Sequence, residues 1–203
     1  MKILLVSATQ LEIQEYLLSA PHHDILITGV GLHHAIYELT DQLHGHHYDL
    51  VIQAGVAGAF EGSGLNMGDV VAVKQDAFGD AGSFEKEKFL SLLSLGLTTD
   101  KEWMINQNSL LGKLKIPQVK SITINTITDY MPYVNALQQK WKADIESMEG
   151  AALHFVCAKK NVPYLQLRAI SNFVGERDKN KWLLATAIGN LNGALKALIG
   201  SLS

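Results

Sequence analysis

Apolar runs of strand length recur along this chain, and several are continuous rather than alternating. Residues 3–8 read Ile-Leu-Leu-Val-Ser-Ala, 48–54 Tyr-Asp-Leu-Val-Ile-Gln-Ala and 164–170 Tyr-Leu-Gln-Leu-Arg-Ala-Ile. Shorter runs occupy 24–28, 69–73 and 119–124. A strand with one wet face alternates polar and apolar residues; a continuous run needs cover on both faces. The cover is encoded between the runs. Residues 31–44 place Leu32, Ala35, Ile36, Leu39 and Leu43 at helical spacing. Further helices are predicted over 148–159 and 182–198, and a shorter one over 130–139. Strands alternating with helices predict an α/β fold around a mixed or mostly parallel sheet.

Composition narrows the class. With 203 residues, 47% of them hydrophobic, the chain can bury one substantial core, so a single domain over 1–203 is expected. Four prolines and no Ser/Gly-rich linker leave no domain boundary, and no internal repeat is visible. Lys and Arg number 17 against 20 Asp and Glu, a net charge of −3, which lacks the basic face a nucleic acid requires. The first apolar run is too short to span a membrane and reads as a buried strand. Cys157 is the sole cysteine, which rules out an intramolecular disulfide and fits a cytoplasmic location. Residues 79–108 have weak periodicity and are expected to form an irregular excursion, a lid or an interface.

In sheets of this kind ligands bind beyond the carboxyl ends of the strands. The residues found there are Ser7 to Glu12 after the first strand and Thr28-Gly29-Val30-Gly31 after the second. Gln53-Ala54-Gly55-Val56-Ala57-Gly58 follows the third. A late segment, Ile145-Glu146-Ser147-Met148-Glu149-Gly150, leads into a helix, and Arg168-Ala169-Ile170-Ser171-Asn172 ends the last strand. Each has an ordinary structural explanation. Glycines serve tight turns, Glu149 can satisfy a helix dipole, Glu12 can be a solvated helix residue, and Asn172 can cap a turn.

In this order and spacing the segments resemble the purine nucleoside phosphorylase-like superfamily, in particular its hydrolytic methylthioadenosine/S-adenosylhomocysteine nucleosidases. Residues 146–152, Glu-Ser-Met-Glu-Gly-Ala-Ala, together with Arg-Ala-Ile-Ser-Asn-x-Val-x-x-Arg-Asp over 168–178, look most like the futalosine hydrolases of menaquinone biosynthesis. The resemblance covers nearly the whole chain, with 79–115 matching poorly. It implies a three-layer α/β/α fold with a central mixed, mostly parallel twisted sheet. It also implies hydrolysis of the N-glycosidic bond of a purine nucleoside, futalosine giving hypoxanthine and dehypoxanthinyl futalosine, with no cofactor and no metal.

Such cleavage passes through an oxocarbenium-like sugar. Water must be activated, the sugar hydroxyls gripped, and the departing purine helped to carry charge. By resemblance Glu12 is the general base, a role that desolvation of a carboxylate favours. Glu149 accepts hydrogen bonds from the 2′ and 3′ hydroxyls, and Met148 packs on the sugar. Gly55 and Val56 lie in the strand-three turn, where the nucleosidases often carry a serine. Ser171 and Asn172 lie at the base, as do Asn125, Thr126 and Ile127 after another strand. Trp182, ten residues beyond Asn172, stands where an aromatic closes the pocket; core packing is the other explanation for it. Arg177 is a candidate partner for the benzoate carboxylate of futalosine.

The nucleosidases have an aspartate where this chain has Asn172. An amide cannot act as an acid, but it can donate to the 6-carbonyl and N7 of hypoxanthine, which predicts a 6-oxopurine as leaving base. Related phosphorylases have an arginine where this chain has Gln53, and Glu12 would repel incoming phosphate, which favours water. Two other readings stay open: a methylthioadenosine/S-adenosylhomocysteine nucleosidase with altered base recognition, and a non-catalytic nucleoside-binding protein. Retention of both glutamates argues against the binder. Eight histidines form no zinc spacing, and His154 reads as a packing residue. The partners expected are a small nucleoside and water, with a homodimer built on the 79–108 region through Phe84, Phe89, Leu92, Leu93 and Trp103. No nucleic acid or membrane partner is expected.

Overall fold

A computed structural model describes residues 1–19 and 22–202. In chain order the elements are β1 (Ile3–Ser7), α1 (Gln14–Leu17), β2 (Asp24–Ile27), α2 (Leu32–Gly45), β3 (Leu50–Ala59) and β4 (Val70–Phe78). Next come β5 (Gly82–Glu85), β6 (Lys88–Ser91), β7 (Met104–Ile105), β8 (Gln118–Thr123), α3 (Met131–Trp141) and β9 (Ile145–Ser147). The chain finishes with α4 (Gly150–Lys160), β10 (Tyr164–Phe173) and α5 (Leu184–Gly200). Among the described residues no helix is long and apolar enough to cross a membrane.

The continuous apolar runs are strands covered on both faces, as their composition requires. Leu5 of β1, Ile52 of β3 and Leu165 and Leu167 of β10 meet Leu191, Leu195 and Leu198 of α5. One residue along each strand the side chains point the other way. Leu4, Val6 and Val51 meet Leu39 and Leu43 of α2 and Leu153 and Val156 of α4. Each buried leucine stabilises the fold by roughly 1.5–3 kcal/mol, which is why the two helical covers sit where the strands alternate between them.

The sheet is mixed, and the resemblance to a plain three-layer arrangement holds only in part. β2, β1, β3 and β10 run parallel as a conventional open sheet. β10 then pairs antiparallel with β4, β4 parallel with β8, β8 parallel with β9, and β9 antiparallel with the far end of β3. Five strands thus close into a ring. Its interior holds Ala57, Ala59, Val71, Val73, Val119, Ile145 and Ile170. β3 serves both parts: Leu50 to Gln53 pair with β1, and Gly58 and Ala59 pair with β9 on the same edge. Between them lies a stretch of edge that neither neighbour covers.

Three expectations are corrected. Residues 54–58, read as a turn after strand three, are strand, because β3 runs on to Ala59 to close the ring. Likewise β10 continues through Ser171 and Asn172, and the late segment contains the short strand β9. Residues 79–108 are not wholly irregular: β5 and β6 form a hairpin and β7 adds to β4. The hairpin's Phe84 and Phe89 stack edge-on with Tyr133 of α3, a contact that periodicity does not reveal.

Candidate active site

Glu12 lies on a 3-10 turn, Leu11–Ile13, immediately after β1. Its carboxylate is buried and receives four hydrogen bonds. Oε2 accepts from Ser7 Oγ at 3.1 Å, Thr9 N at 3.0 Å and Thr9 Oγ1 at 3.0 Å. Oε1 accepts from Val56 N at 3.1 Å. That last donor is free because the edge of β3 is uncovered between β1 and β9. The turn is clamped from α5 by the fully buried Asn192, whose Nδ2 donates to Glu12 O at 2.9 Å and whose Oδ1 accepts from Tyr16 N at 2.9 Å.

Glu149 is the N-cap residue of α4, but its side chain makes no capping hydrogen bond. The α4 amides are satisfied elsewhere: Gly150 N donates to Ser147 Oγ at 3.2 Å and Ala151 N to Thr123 Oγ1 at 2.7 Å. The Glu149 carboxylate is free to accept from Gly31 N at 2.9 Å. Gly31 has φ of +103°, where L side chains are strained, so the Gly-Val-Gly turn after β2 presents an amide to a carboxylate 118 residues away. Burial lifts the Glu149 carboxyl above its usual range, Arg168 and the Gly31 amide oppose that, and the charge of Glu12 adds to it.

Arg168 is 1% exposed and stands behind both glutamates. Its Nη1 lies 3.9 Å from Glu149 Oε2, its Nη2 donates to Gln53 Oε1 at 3.0 Å and its Nε to Gln166 Oε1 at 3.1 Å. Gln166 Nε2 in turn donates to Asp76 Oδ2 at 3.1 Å. Burial pushes Asp76 up to about 6, against hydrogen bonds from Gln166 and Thr123 and the charge of Arg168. Gly55 is small for a physical reason. A Cβ there would lie 2.3 Å from Arg168 Nη1 and 2.9 Å from Glu12 Oε1.

A cavity of about 290 Å³ opens over this group. Of the residues anticipated from sequence, Glu12, Val56, Ile127, Met148, Glu149, Ser171, Asn172 and Trp182 line it. Gly55 lies just beneath, between Arg168 and Glu12. Asn125 and Thr126 do not line it, and the Asn125 amide is engaged with Asp80. Arg177 stands outside the wall, its guanidinium 5.7 Å from the Trp182 ring. Asn172 Oδ1 accepts from Ser171 Oγ at 2.8 Å and Nδ2 donates to Phe173 O at 3.0 Å, which leaves one amide hydrogen for a ligand.

Sequence reasoning missed Arg168 and Glu146 as site residues. A lone guanidinium within an apolar strand is itself a signal, because arginine is almost never fully buried unless paired. By sequence Glu146 falls in the lead-in to a helix, which hides the face it occupies as part of strand β9. It is buried on the cavity wall. His154 packs as expected: burial pushes it down to about 3, and Nδ1 lies 3.0 Å from Met104 O.

The sequence pattern of the phosphorylase superfamily matches residues 24–200. The futalosine hydrolase of Acidothermus cellulolyticus is 31% identical over 86% of this chain and 74% of its own length. The 5′-methylthioadenosine/S-adenosylhomocysteine nucleosidase of Bacillus cytotoxicus is 27% identical over 87% of this chain and 81% of its own. The solved structure of the futalosine hydrolase of Helicobacter pylori superposes with a TM-score of 0.81 at 19% identity, covering 99% of this chain and 98% of that one. That structural likeness shows a common fold.

Proposed function

This chain belongs to the phosphorylase superfamily, alongside the futalosine hydrolases, and on that premise we propose that it hydrolyses the N-glycosidic bond of a purine nucleoside, futalosine in the first place, with hypoxanthine as the base released. The observation that carries the reading is the meeting of two buried carboxylates, Glu12 and Glu149, at one cavity that also holds an amide, Asn172. Glu12 takes the proton of the attacking water. Glu149 accepts from the ribose 2′ and 3′ hydroxyls, and its charge stabilises the cationic ring as it forms. Met148 and Val56 pack on the sugar, and Ile127 and Trp182 close over the ligand. Ser171 orients Asn172, whose remaining amide hydrogen reaches the 6-carbonyl edge of the purine.

The test is base release from a small nucleoside panel. Hypoxanthine should leave futalosine faster than adenine leaves methylthioadenosine, and added phosphate should not change the rate. Faster adenine release would favour the nucleosidase reading, and dependence on phosphate would make the protein a phosphorylase. Arg177 tests the 5′ end. As the pairing partner of the substrate carboxylate, its replacement by Ala should raise KM for futalosine by roughly tenfold and leave inosine almost unchanged, the loss of one charge-assisted hydrogen bond. Equal effects on the two substrates would remove that role.

In the same reading the chain acts as one domain in the cytoplasm and pairs as a homodimer through the 79–108 excursion. Of the five side chains expected there, Phe84, Phe89 and Trp103 instead pack inward against Tyr133 and Trp141 of α3, and the apolar surface comes from exposed Leu92 and Leu93, joined by Leu97.

A further inference from the structure

Asn172 leaves the reaction without an acid at the position where the nucleosidase pattern has one, and the structure holds another carboxyl beside it. Gly58 of β3 pairs with Glu146 of β9 on one side and with Asn172 of β10 on the other, so the three residues form one row across the ring. Both side chains project to the same face. A Cβ placed on Gly58 would sit 3.2 Å from Asn172 Nδ2 and 3.7 Å from Glu146 Cγ. Glu146 is 8% exposed, lines the cavity, and makes no side-chain hydrogen bond or ion pair among the described residues. Its carboxyl oxygens are not sealed in the protein but open to the cavity. A carboxyl so largely removed from water and without a protein partner favours the protonated form until a ligand meets it.

We infer that Glu146 is the leaving-group acid and specificity residue for the 6-oxopurine, acting beside Asn172; the inference rests on the hydrolase reading above. The C1′–N9 bond breaks and its electron pair passes into the purine. The Glu146 proton moves to N7, so the base departs as neutral hypoxanthine while Asn172 holds O6. Water forms the new C1′–O bond and its proton goes to Glu12. Glu146 ends ionised and Glu12 protonated, and exchange with solvent restores both.

The environment suits the role. Burial pushes Glu146 up to about 7, Asp80 raises it further and Arg177 lowers it. Tyr133 also faces it, and Glu12 and Glu149 share the cavity. A group titrating near 7 is protonated often enough to donate and is acidic enough to give up its proton.

The experiment compares wild type with Glu146→Gln on futalosine and on 4-nitrophenyl riboside, whose phenolate leaves without protonation. The glutamine variant should lose about 10²-fold or more in kcat/KM on futalosine and less than tenfold on the nitrophenyl substrate. In wild type, kcat/KM for futalosine should fall as pH rises through about 7, where Glu146 loses its proton. That limb should vanish in the variant, because an amide does not titrate there. Near-normal rates with the limb unmoved, or equal losses on both substrates, would overturn the assignment. A wild type that releases no base from any nucleoside would instead overturn the hydrolase reading beneath it.

Discussion

Glu12→Gln is expected to lower kcat for base release by about 10²–10⁴-fold, the usual contribution of a positioned general base. The carboxylate is an acceptor for four donors, Ser7 Oγ, Thr9 N, Thr9 Oγ1 and Val56 N. A carboxylate has two acceptor oxygens and so can meet all four. Glutamine has one oxygen, so its amide must face a donor on one side, either Val56 N or the Ser7–Thr9 group. The variant therefore loses the proton acceptor and the geometry that aims it. Because the water is activated only as the transition state forms, kcat and kcat/KM should fall together, with ligand affinity little changed. Calorimetric titration with a non-hydrolysable nucleoside, run beside the kinetics, separates the two. A large rise in KM at constant kcat would show that Glu12 binds substrate rather than activating water.

Arg168→Leu is expected to destabilise the protein by about 3–5 kcal/mol, the cost of leaving a buried charge without its partner. At this chain length that is a fall in melting temperature on the order of 10 °C. Leucine fills much of the volume but leaves Gln53 Oε1 and Gln166 Oε1 without the donors they have now, and Glu149 without the cation 3.9 Å away. The sign for Glu149 follows directly. Burial raises its carboxyl and Arg168 lowers it, so removal of Arg168 raises it further. The anionic form that grips the ribose is then lost at a higher pH as the solution is acidified. The acid limb of residual activity should shift upward. A melting temperature within a degree or two of wild type would show that the guanidinium is not holding this network together.

The site residues differ in how legible they are in the sequence. Glu149 and Met148 sit in a contiguous segment whose order survives in the chain, and the same is true of Ser171 and Asn172. Gly55 was legible as a glycine, but its reason was not. It reads as a turn residue, whereas it is a strand residue crowded by Arg168 Nη1 and Glu12 Oε1. Asn125 and Thr126 follow β8 as expected, yet Asp80 from a distant loop holds the Asn125 amide away from the cavity. Glu146 stood in plain view within the motif, but its placement depends on β9 pairing with the far end of β3.

The sequence by itself determined that this is an α/β chain with strands buried on both faces and helices between them, because apolar periodicity is a local property. It also determined that two glutamates follow strand ends in an order shared with nucleoside-cleaving proteins. Only the tertiary structure decided that five strands close into a ring, and that the ring leaves Val56 N free for Glu12. It alone brought Gly31 to Glu149 across 118 positions and Glu146 beside Asn172. Carboxylate burial, partner amides and proton affinity are set by groups far apart in the chain, and no local pattern carries them.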